Sequence, residues 1–208
     1  MSIDAILLIG PTGAGKTPFG ECLEARGFGG RRCLHFDFGH QLRTIAGQGN
    51  PPVGFSRGEH AFIRDVLEKG LLLENEYFPI AEKIIDSFLR ERGFSGTDVM
   101  VLNGLPRHLD QARDVDRKVT TSAVVVLECG AEDVLCRISD NPGGDRTGRE
   151  DDGIEMVRKK LGIFRERTAP LIRHYENAGC RIFRVEVGPS ATAEEIYVQF
   201  SSMAERRL

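Results

Sequence analysis

Apolar residues along this 208-residue chain form short runs, and longer amphipathic stretches lie between them. Because the runs are nearly unbroken rather than alternating, they predict strands that are buried on both faces. The predicted strands cover residues 3–9, 33–36, 99–102, 123–127 and 181–187. Helical spacing marks residues 15–25, 40–46, 59–69, 75–92, 108–118, 132–139, 154–177 and 193–205, with a kink expected near Pro170. Strands that alternate with helices indicate a parallel sheet covered on both faces.

A glycine-rich loop follows the first predicted strand directly. Its residues match the pattern G-x-x-x-x-G-K-[ST] at every fixed position, and they are Gly10, Pro11, Thr12, Gly13, Ala14, Gly15, Lys16 and Thr17. Glycines let backbone N–H groups curl round an anion, and a helix that begins near Gly15 directs its positive dipole end at the same point. The loop therefore predicts a phosphate site, with Lys16 as a mobile cation and the Thr17 hydroxyl as a Mg²⁺ ligand.

Composition excludes several other classes of protein. The net charge of −3 gives no general reason to expect nucleic acid or a membrane surface as a partner. No apolar run approaches the length that spans a bilayer. The five cysteines are scattered and contain no C-x-x-C pair, which argues against a zinc site and a disulfide framework and favours a reducing compartment. We therefore expect a cytoplasmic protein without zinc, membrane or nucleic-acid partners.

The sequence resembles a known family, the nucleoside monophosphate kinases of the adenylate kinase type. The resemblance covers nearly the whole chain and rests on segments in the expected order. Besides the glycine-rich loop, they are GHQLR at 39–43, GLLL at 70–73, NGLPR at 103–107 with Gln111, and GREDD at 148–152 followed by TAPLI at 168–172 and Tyr175. The family counterparts are G-D-x-L-R, G-x-L-V, D-G-F-P-R with its downstream Gln, and G-R-x-D-D followed by T-x-P-[LVI]-I-x-x-Y.

The resemblance implies both an architecture and a reaction. The architecture is an α/β fold of the P-loop NTPase type, with a five-stranded parallel sheet and helices on both faces. Its core would comprise residues 1–37, 93–139 and 152–208, with a helical acceptor-binding insert at 38–92 and a short lid at 140–151. The reaction is phosphoryl transfer from ATP, with Mg²⁺, to a nucleoside monophosphate, and AMP is the first candidate acceptor. The enzyme would act as a monomer.

The resemblance also implies residue roles. The acceptor attacks through a phosphate oxygen that is already anionic, so fixed cations matter more than a general base. The residues expected at the transferring phosphate are Lys16, Arg107, Arg149 and Lys160. ATP would contact the loop from Gly10 to Thr17, together with Arg146 and Gly188. The acceptor would contact Phe38, Gly39, Arg43, Leu72, Leu73, Gly104, Arg107 and Gln111.

Four features of the sequence depart from the family pattern. Asn103 stands where the family has the Asp that organises water around Mg²⁺, so Asn103 is expected to reach the ion only through water. Asp37-Phe38 replaces Ser-Thr beside the acceptor base, which leaves the identity of that base open. Lys160 replaces an arginine and loses its bidentate fork. A second lid arginine has no clean counterpart, and Arg146 is the nearest candidate.

These departures keep two alternatives open. In the first, Asp37 acts as a base or anchor for the hydroxyl of a small-molecule acceptor, although Arg43 and Arg107 would then be wasted on a neutral group. In the second, the protein is a nucleotide-binding module with weak or no turnover, as Asn103 and Lys160 would favour. A screen of monophosphate acceptors with MgATP discriminates among all three hypotheses.

Overall fold

The computed structural model describes residues 3–147 and 153–206. Within these residues, a single sheet contains the strands β1 (Ile3–Ile9), β2 (Cys33–Asp37), β3 (Val99–Asn103), β4 (Val119–Glu128) and β5 (Arg181–Glu186). The strand order is β2-β3-β1-β4-β5, and every neighbouring pair is parallel. The five-stranded parallel sheet predicted from the sequence is therefore confirmed.

Helices cover both faces of this sheet. They are α1 (Lys16–Arg26), α2 (Phe38–Ala46), α3 (Arg57–Lys69), α4 (Phe78–Glu91), α5 (Leu109–Val115), α6 (Ala131–Asp140), α7 (Ile154–Ile163), α8 (Pro170–Asn177) and α9 (Ala193–Glu205). Alternate residues of β1 face different cores: Leu7 packs in the core that contains residues of α2–α5 and α8, and Ile6 packs in the core beside α1 and α9. None of the described helices combines the length and apolar character that crossing a bilayer requires.

The segment between β2 and β3 is helical, as the sequence pattern predicts. Residues 38–92, called the insert below, contain α2, α3, a short 3₁₀ turn at Asn75–Tyr77 and α4. Helix α3 begins with a capping box, in which Ser56 and Glu59 satisfy each other's backbone N–H groups. Helix α4 buries the apolar face that the periodicity indicates, including Ile80, Ile84 and Phe88. The insert thereby packs into one of the two cores.

Strand β4 begins four residues before the predicted start at residue 123. Its first part pairs with β1 and carries Thr120, Thr121 and Ser122, whose polar character resembles that of a loop. The pairing register shifts between Ala5 and Ile6, where the Ser122 hydroxyl donates to the Ala5 carbonyl at 3.2 Å. Hydropathy therefore does not indicate the first part of β4, because backbone pairing with β1 rather than apolar side chains makes it a strand.

The long helical stretch at 154–177 is interrupted near Pro170, as predicted. Between α7 and α8, residues Phe164–Thr168 form a π-helical turn in which the Ala169 N–H donates to the Phe164 carbonyl at 2.8 Å. Proline has no N–H to continue an α-helical ladder, and the wider turn absorbs the mismatch. The sequence predicts the break but does not indicate its π-helical form.

Candidate active site

The loop between β1 and α1 has the backbone shape that its glycines permit. Gly13 and Gly15 have φ angles of 79° and 88°, in the left-handed region that disfavours side chains. A Cβ on Gly10 would lie 3.0 Å from the Leu127 carbonyl oxygen. Since α1 begins at Lys16, its unpaired N–H groups and positive dipole end face the loop. This arrangement suits a phosphate group.

Lys16 is folded over the same loop. Its Nζ donates to the carbonyl oxygens of Gly10 at 2.8 Å and Pro11 at 2.7 Å. Burial, reinforced by the positive charge of Arg107, lowers the pKa of Lys16 to about 7, and the Asp37 carboxylate acts in the opposite direction. An anion bound in the loop would favour the charged form of this lysine.

A polar cluster lies where β2 and β3 end. The Thr17 hydroxyl donates to Asp37 Oδ2 at 2.6 Å, and the Asn103 amide nitrogen donates to the same oxygen at 3.0 Å. Asp37 Oδ1 accepts the His40 N–H at 2.8 Å and so caps α2. Burial alone would raise the pKa of Asp37, but the hydrogen bonds from Thr17 and His40 outweigh it and hold the pKa below its usual range. The carboxylate is therefore ionised at neutral pH.

Arg107 also faces this region. Its guanidinium makes no hydrogen bond or ion pair with any residue of the described ranges 3–147 and 153–206. Burial lowers the pKa of Arg107, and the Asp37 charge partly offsets that effect. A half-buried guanidinium without a protein partner can bind an anion in bidentate fashion.

One cleft unites most of the residues predicted from the sequence. Its lining includes Gly10, Thr12, Gly13, Gly15, Lys16, Thr17, Phe38, Gly39, Arg43, Leu72, Leu73, Asn103, Gly104, Arg107, Gln111, Arg146 and Lys160. The loop residues Pro11 and Ala14 are buried behind it, and Gly188 is exposed beside it. Arg149, with the rest of GREDD at 148–152, lies outside the described residues.

Gln111, predicted to contact the acceptor base, has both ends of its amide engaged with the backbone. Its Nε2 donates to the Leu73 carbonyl at 2.6 Å, and its Oε1 accepts the Arg107 N–H at 2.7 Å. The side chain is 1% exposed. In this structure Gln111 therefore holds the segments of Leu73 and Arg107 together beneath the cleft.

The described part of the predicted lid packs against the phosphate loop. The Arg146 N–H donates to Asn141 Oδ1 at 3.2 Å, and Arg146 Nη2 lies 3.4 Å from Thr12 Oγ1. Gly143 approaches Pro18 so closely that an added Cβ would lie 2.8 Å from the proline Cγ. Residues 141–147 therefore bring a guanidinium to the rim of the loop.

Sequence reasoning missed Arg137 of α6, which is 3% exposed. Its guanidinium donates to the carbonyls of Gly13 at 3.0 Å, Gly188 at 2.9 Å and Ala191 at 2.8 Å. It thus joins the phosphate loop to the loop after β5. Arg137 follows buried Val134 at i+3, so an arginine on the apolar face of α6 was the available signal.

His35 of β2 was not predicted from the sequence as a residue of the site either. Its Nε2 lies 3.3 Å from the Asn103 amide nitrogen, and burial lowers the pKa of His35, although Asp37 opposes this. His35 and Asp37 share one face of β2 at strand spacing. Two polar residues alternating within an otherwise apolar strand were the available signal.

The donor atoms fit the Mg²⁺ that accompanies a nucleoside triphosphate. Thr17 and Asp37 supply a hydroxyl and a carboxylate oxygen, and Mg²⁺ prefers oxygen ligands and takes the rest from phosphates and water. Among the residues that the structure describes, no group of three or more His, Cys, Asp or Glu side chains could hold a metal ion.

A parallel sheet of this order with a glycine-rich loop after β1 defines an α/β fold of the P-loop NTPase type. No family model matches the chain. The chain is similar to adenylate kinases from Synechococcus sp. (strain RCC307), 30% identical over 92% of this chain and 95% of the relative, and from Thermus thermophilus, 30% identical over 94% of each. It is 28% identical to a UMP-CMP kinase from Lentinula edodes over 99% of this chain and 87% of the relative. The chain therefore belongs to the nucleoside monophosphate kinase family.

Proposed function

We propose that this enzyme transfers the γ-phosphoryl group of ATP to a nucleoside monophosphate, with AMP as the first acceptor to test. The observation that carries the proposal is the shared cleft: a phosphate loop with its lysine lines one part, and Arg43 and Arg107 line another. Two sets of anion-binding groups in one cleft suit a reaction between two phosphorylated substrates. Arg43 and Arg107 would bind the acceptor phosphate, and the loop would bind the ATP phosphates.

The chemistry requires positioning and charge compensation. The acceptor phosphate is already an anionic nucleophile, so the barrier lies in bringing two polyanions together in line. Lys16, Arg107 and Lys160 line the cleft and would stabilise charge on the transferring group. Arg149 is proposed for the same role on the basis of the family resemblance alone. Residues 141–147, which include Arg146, would exclude water from the phosphate loop.

Mg²⁺, when bound with ATP, would neutralise charge on the triphosphate. The Thr17 hydroxyl is the proposed protein ligand in the phosphate loop, and its hydrogen bond to Asp37 fixes the orientation of that hydroxyl.

The base of the acceptor is the finer part of the proposal. AMP comes first because the relatives at 30% identity are adenylate kinases, whereas UMP-CMP kinases are also among the relatives. Phe38 lines the cleft and packs against Phe36 with ring centroids 6.1 Å apart, so an aromatic ring borders the proposed base site. Gly39, Leu72, Leu73 and Gly104 are the other proposed contacts to the acceptor.

The alternative in which Asp37 activates a small hydroxyl acceptor has weaker support. Both carboxylate oxygens already accept hydrogen bonds, Oδ1 from His40 and Oδ2 from Thr17 and Asn103. These hydrogen bonds hold the pKa of Asp37 below its usual range, which makes the carboxylate a weak general base at neutral pH.

The test is an acceptor screen with MgATP and AMP, dAMP, CMP, UMP or GMP, in which ADP and the new diphosphate are quantified by chromatography. We expect turnover of at least one monophosphate, with AMP the fastest. A faster reaction with CMP or UMP would replace AMP as the acceptor but retain the reaction class. Failure of all five, with ATP still bound in calorimetry, would contradict the proposal and favour the binding-module alternative.

A further inference from the structure

Asp37 and Asn103 lie in register on neighbouring parallel strands, at the ends of β2 and β3. One is a carboxylate and the other a neutral amide, and both contact the Thr17 hydroxyl, at 2.6 and 3.1 Å. We propose that Asp37, on β2, is the carboxylate that binds the Mg²⁺ of ATP together with Thr17, while Asn103 orients that carboxylate. The proposal rests on the proposed function in that ATP brings the ion to the site.

The Thr17 hydroxyl supports this assignment through the direction of its proton. A hydroxyl has a single proton, and Thr17 donates it to Asp37 Oδ2 at 2.6 Å. One of its two lone pairs accepts from the Asn103 amide at 3.1 Å, which leaves the other for an ion. Thr17 follows Lys16 at the start of α1, and both Thr17 and Asp37 line the cleft that contains the phosphate loop.

Asn103 presents its amide nitrogen, rather than its oxygen, to Thr17 and Asp37, so it is not suited to bind a cation. Its amide nitrogen lies 3.0 Å from Asp37 Oδ2 and 3.3 Å from His35 Nε2. The carboxylate can only accept, so the amide must present its NH₂ group there rather than its oxygen. The same nitrogen can also donate to His35 Nε2, 3.3 Å away, when that ring nitrogen carries no proton. A cation near these N–H groups would be repelled by them.

The surrounding packing fixes this orientation. His35 is buried, and its ring lies so close to α1 that a Cβ on Gly20 would be 2.3 Å from His35 Nε2. Asp37 is held separately, because its Oδ1 caps α2 through the His40 N–H. Hydrogen bonds therefore hold the cluster in one arrangement, in which Asp37 Oδ2 faces the Thr17 hydroxyl.

The charges of the cleft point the same way. Among the described residues that line it, Lys16, Arg43, Arg107, Arg146 and Lys160 are cationic, and only Asp37 and Asp145 are acidic. A divalent cation entering this positive environment needs a nearby carboxylate. Asp145 is the rival carboxylate in the cleft, and we favour Asp37 because it accepts a hydrogen bond from the Thr17 hydroxyl of the phosphate loop at 2.6 Å.

The experiment measures metal binding rather than turnover. Mn²⁺ replaces Mg²⁺, and free Mn²⁺ is counted by electron paramagnetic resonance in the presence of a non-hydrolysable ATP analogue. Calorimetry gives the affinity for the analogue with Mn²⁺ and with EDTA. The variants are Asp37→Asn, Asn103→Ala and Asp145→Asn, the last being a matched removal of one carboxylate from the same cleft. Asn caps helices as well as Asp does, so Asp37→Asn retains the start of α2.

We expect Asp37→Asn to weaken Mn²⁺ binding to the analogue complex by about tenfold or more. Its affinity for the analogue in EDTA should be equal or higher, because a negative charge near the phosphates has been removed. Asn103→Ala should weaken Mn²⁺ binding by less than Asp37→Asn does, because the carboxylate stays but loses the amide that orients it. Asp145→Asn should change Mn²⁺ affinity by less than about threefold.

Two results would overturn the assignment: a change of less than about threefold for Asp37→Asn, or an equal or larger loss for Asn103→Ala or Asp145→Asn. Wild-type protein that fails to bind the analogue both with Mn²⁺ and in EDTA would instead contradict the proposed function. Analogue binding that is normal, with metal affinity insensitive to Asp37→Asn, would contradict the metal assignment alone.

Discussion

At the scale of single residues, Lys16 supplies a positive charge to the phosphate loop. Its ammonium reaches the carbonyls of Gly10 and Pro11 across the loop that would hold the phosphates. When phosphates bind, the Lys16 ammonium could therefore exchange these carbonyl oxygens for phosphate oxygens while it stays in the cleft. The glycine-rich loop pattern predicted the role of this lysine, and the structure adds the contacts that position it.

Lys16→Ala should lower kcat with the preferred acceptor by about 100-fold or more, because one preorganised cation is lost from the transferring group. Steady-state kinetics measures the loss, and circular dichroism checks the fold. The matched control is Lys69→Ala, since Lys69 forms an exposed ion pair with Asp65 outside the cleft. Equal rates for Lys16→Ala and wild type would remove Lys16 from the mechanism.

Arg137 acts at the same scale but from behind the loop. Its fork joins carbonyls of Gly13, Gly188 and Ala191, so one buried charge sets the distance between the phosphate loop and the loop after β5. Lysine retains the charge but cannot reproduce the planar fork. The resemblance proposed Gly188 as an ATP contact, and Arg137 is the residue that physically connects it to the phosphate loop.

Arg137→Lys is expected to weaken ATP binding by about tenfold while leaving acceptor affinity nearly unchanged. Separate titrations of ATP and acceptor by calorimetry test this split. Arg113→Lys serves as control, because the side chain of Arg113 is exposed and pairs with Asp110 at 3.0 Å, away from both loops. A parallel loss of both affinities would indicate general unfolding rather than a role in positioning the donor loops.

Gly20 shows how packing supports the polar cluster. Gly20→Ala would bring a Cβ within 2.3 Å of the His35 ring. We expect a loss of about 1–3 kcal/mol in the free energy of unfolding, together with displacement of His35 from Asn103. Urea unfolding measures the first effect. Gly162→Ala in α7 is the control: an added Cβ meets nothing within 4 Å, so it should stabilise by about 0.5–1 kcal/mol.

At the scale of elements, the π-helical turn between α7 and α8 contacts the backbone of Arg107, which lines the cleft. Thr168 is buried in this turn, and its hydroxyl donates to the Arg107 carbonyl at 2.8 Å. The irregular turn therefore supports the backbone of Arg107, whose guanidinium makes no hydrogen bond or ion pair within the described ranges. Irregular helical turns of this kind often occur at functional sites.

Replacing Thr168 with valine keeps the shape of the side chain but removes the hydrogen bond to Arg107. The expected cost is about 1–2 kcal/mol of stability, and the acceptor KM should rise more than the ATP KM. Thr44→Val on the exposed face of α2 is the control and should leave both KM values unchanged. A larger rise in the ATP KM than in the acceptor KM would contradict the proposed link to Arg107.

The sequence predicts elements well where one physical signal dominates. Apolar runs located the five strands, and Pro170 located the interruption after α7. The start of β4 was missed because Thr120, Thr121 and Ser122 are polar yet paired with β1. The site follows the same rule. Local motifs indicated the loop and the arginines, whereas His35 and Arg137 were missed because their roles depend on contacts distant in sequence.

At the scale of the whole molecule, the insert contacts both α7 and the π-helical turn that follows it. Lys159 Nζ donates to the Lys69 carbonyl at 2.6 Å, and Arg167 Nη2 donates to Glu74 Oε2 at 2.9 Å. The hydrogen bond from Arg167 is the main reason why the pKa of Glu74 is lowered. Both contacts are accessible to solvent, and we expect them to break and re-form when ligands bind in the cleft.

Hydrogen exchange should reveal that behaviour directly. A bisubstrate analogue that joins ATP and the acceptor should slow amide exchange in residues 38–92 and 141–147, because both segments line the cleft. Strands β1 and β3 should change little, since they are already buried. Mass spectrometry of the free and bound protein provides the measurement. Unchanged exchange in both segments, with the analogue bound, would contradict ligand-coupled motion.

Strand β1 occupies the centre of the sheet although it is the first strand in the chain, and both of its partners, β3 and β4, come much later. During translation at about 5–20 residues per second, its apolar residues must wait several seconds for Val99–Asn103 to emerge. The phosphate loop attached to β1 thus acquires the support of β3 only after the whole insert has been synthesised. Nascent chains should therefore engage chaperones until β3 is synthesised, and nucleotide binding should emerge late in synthesis.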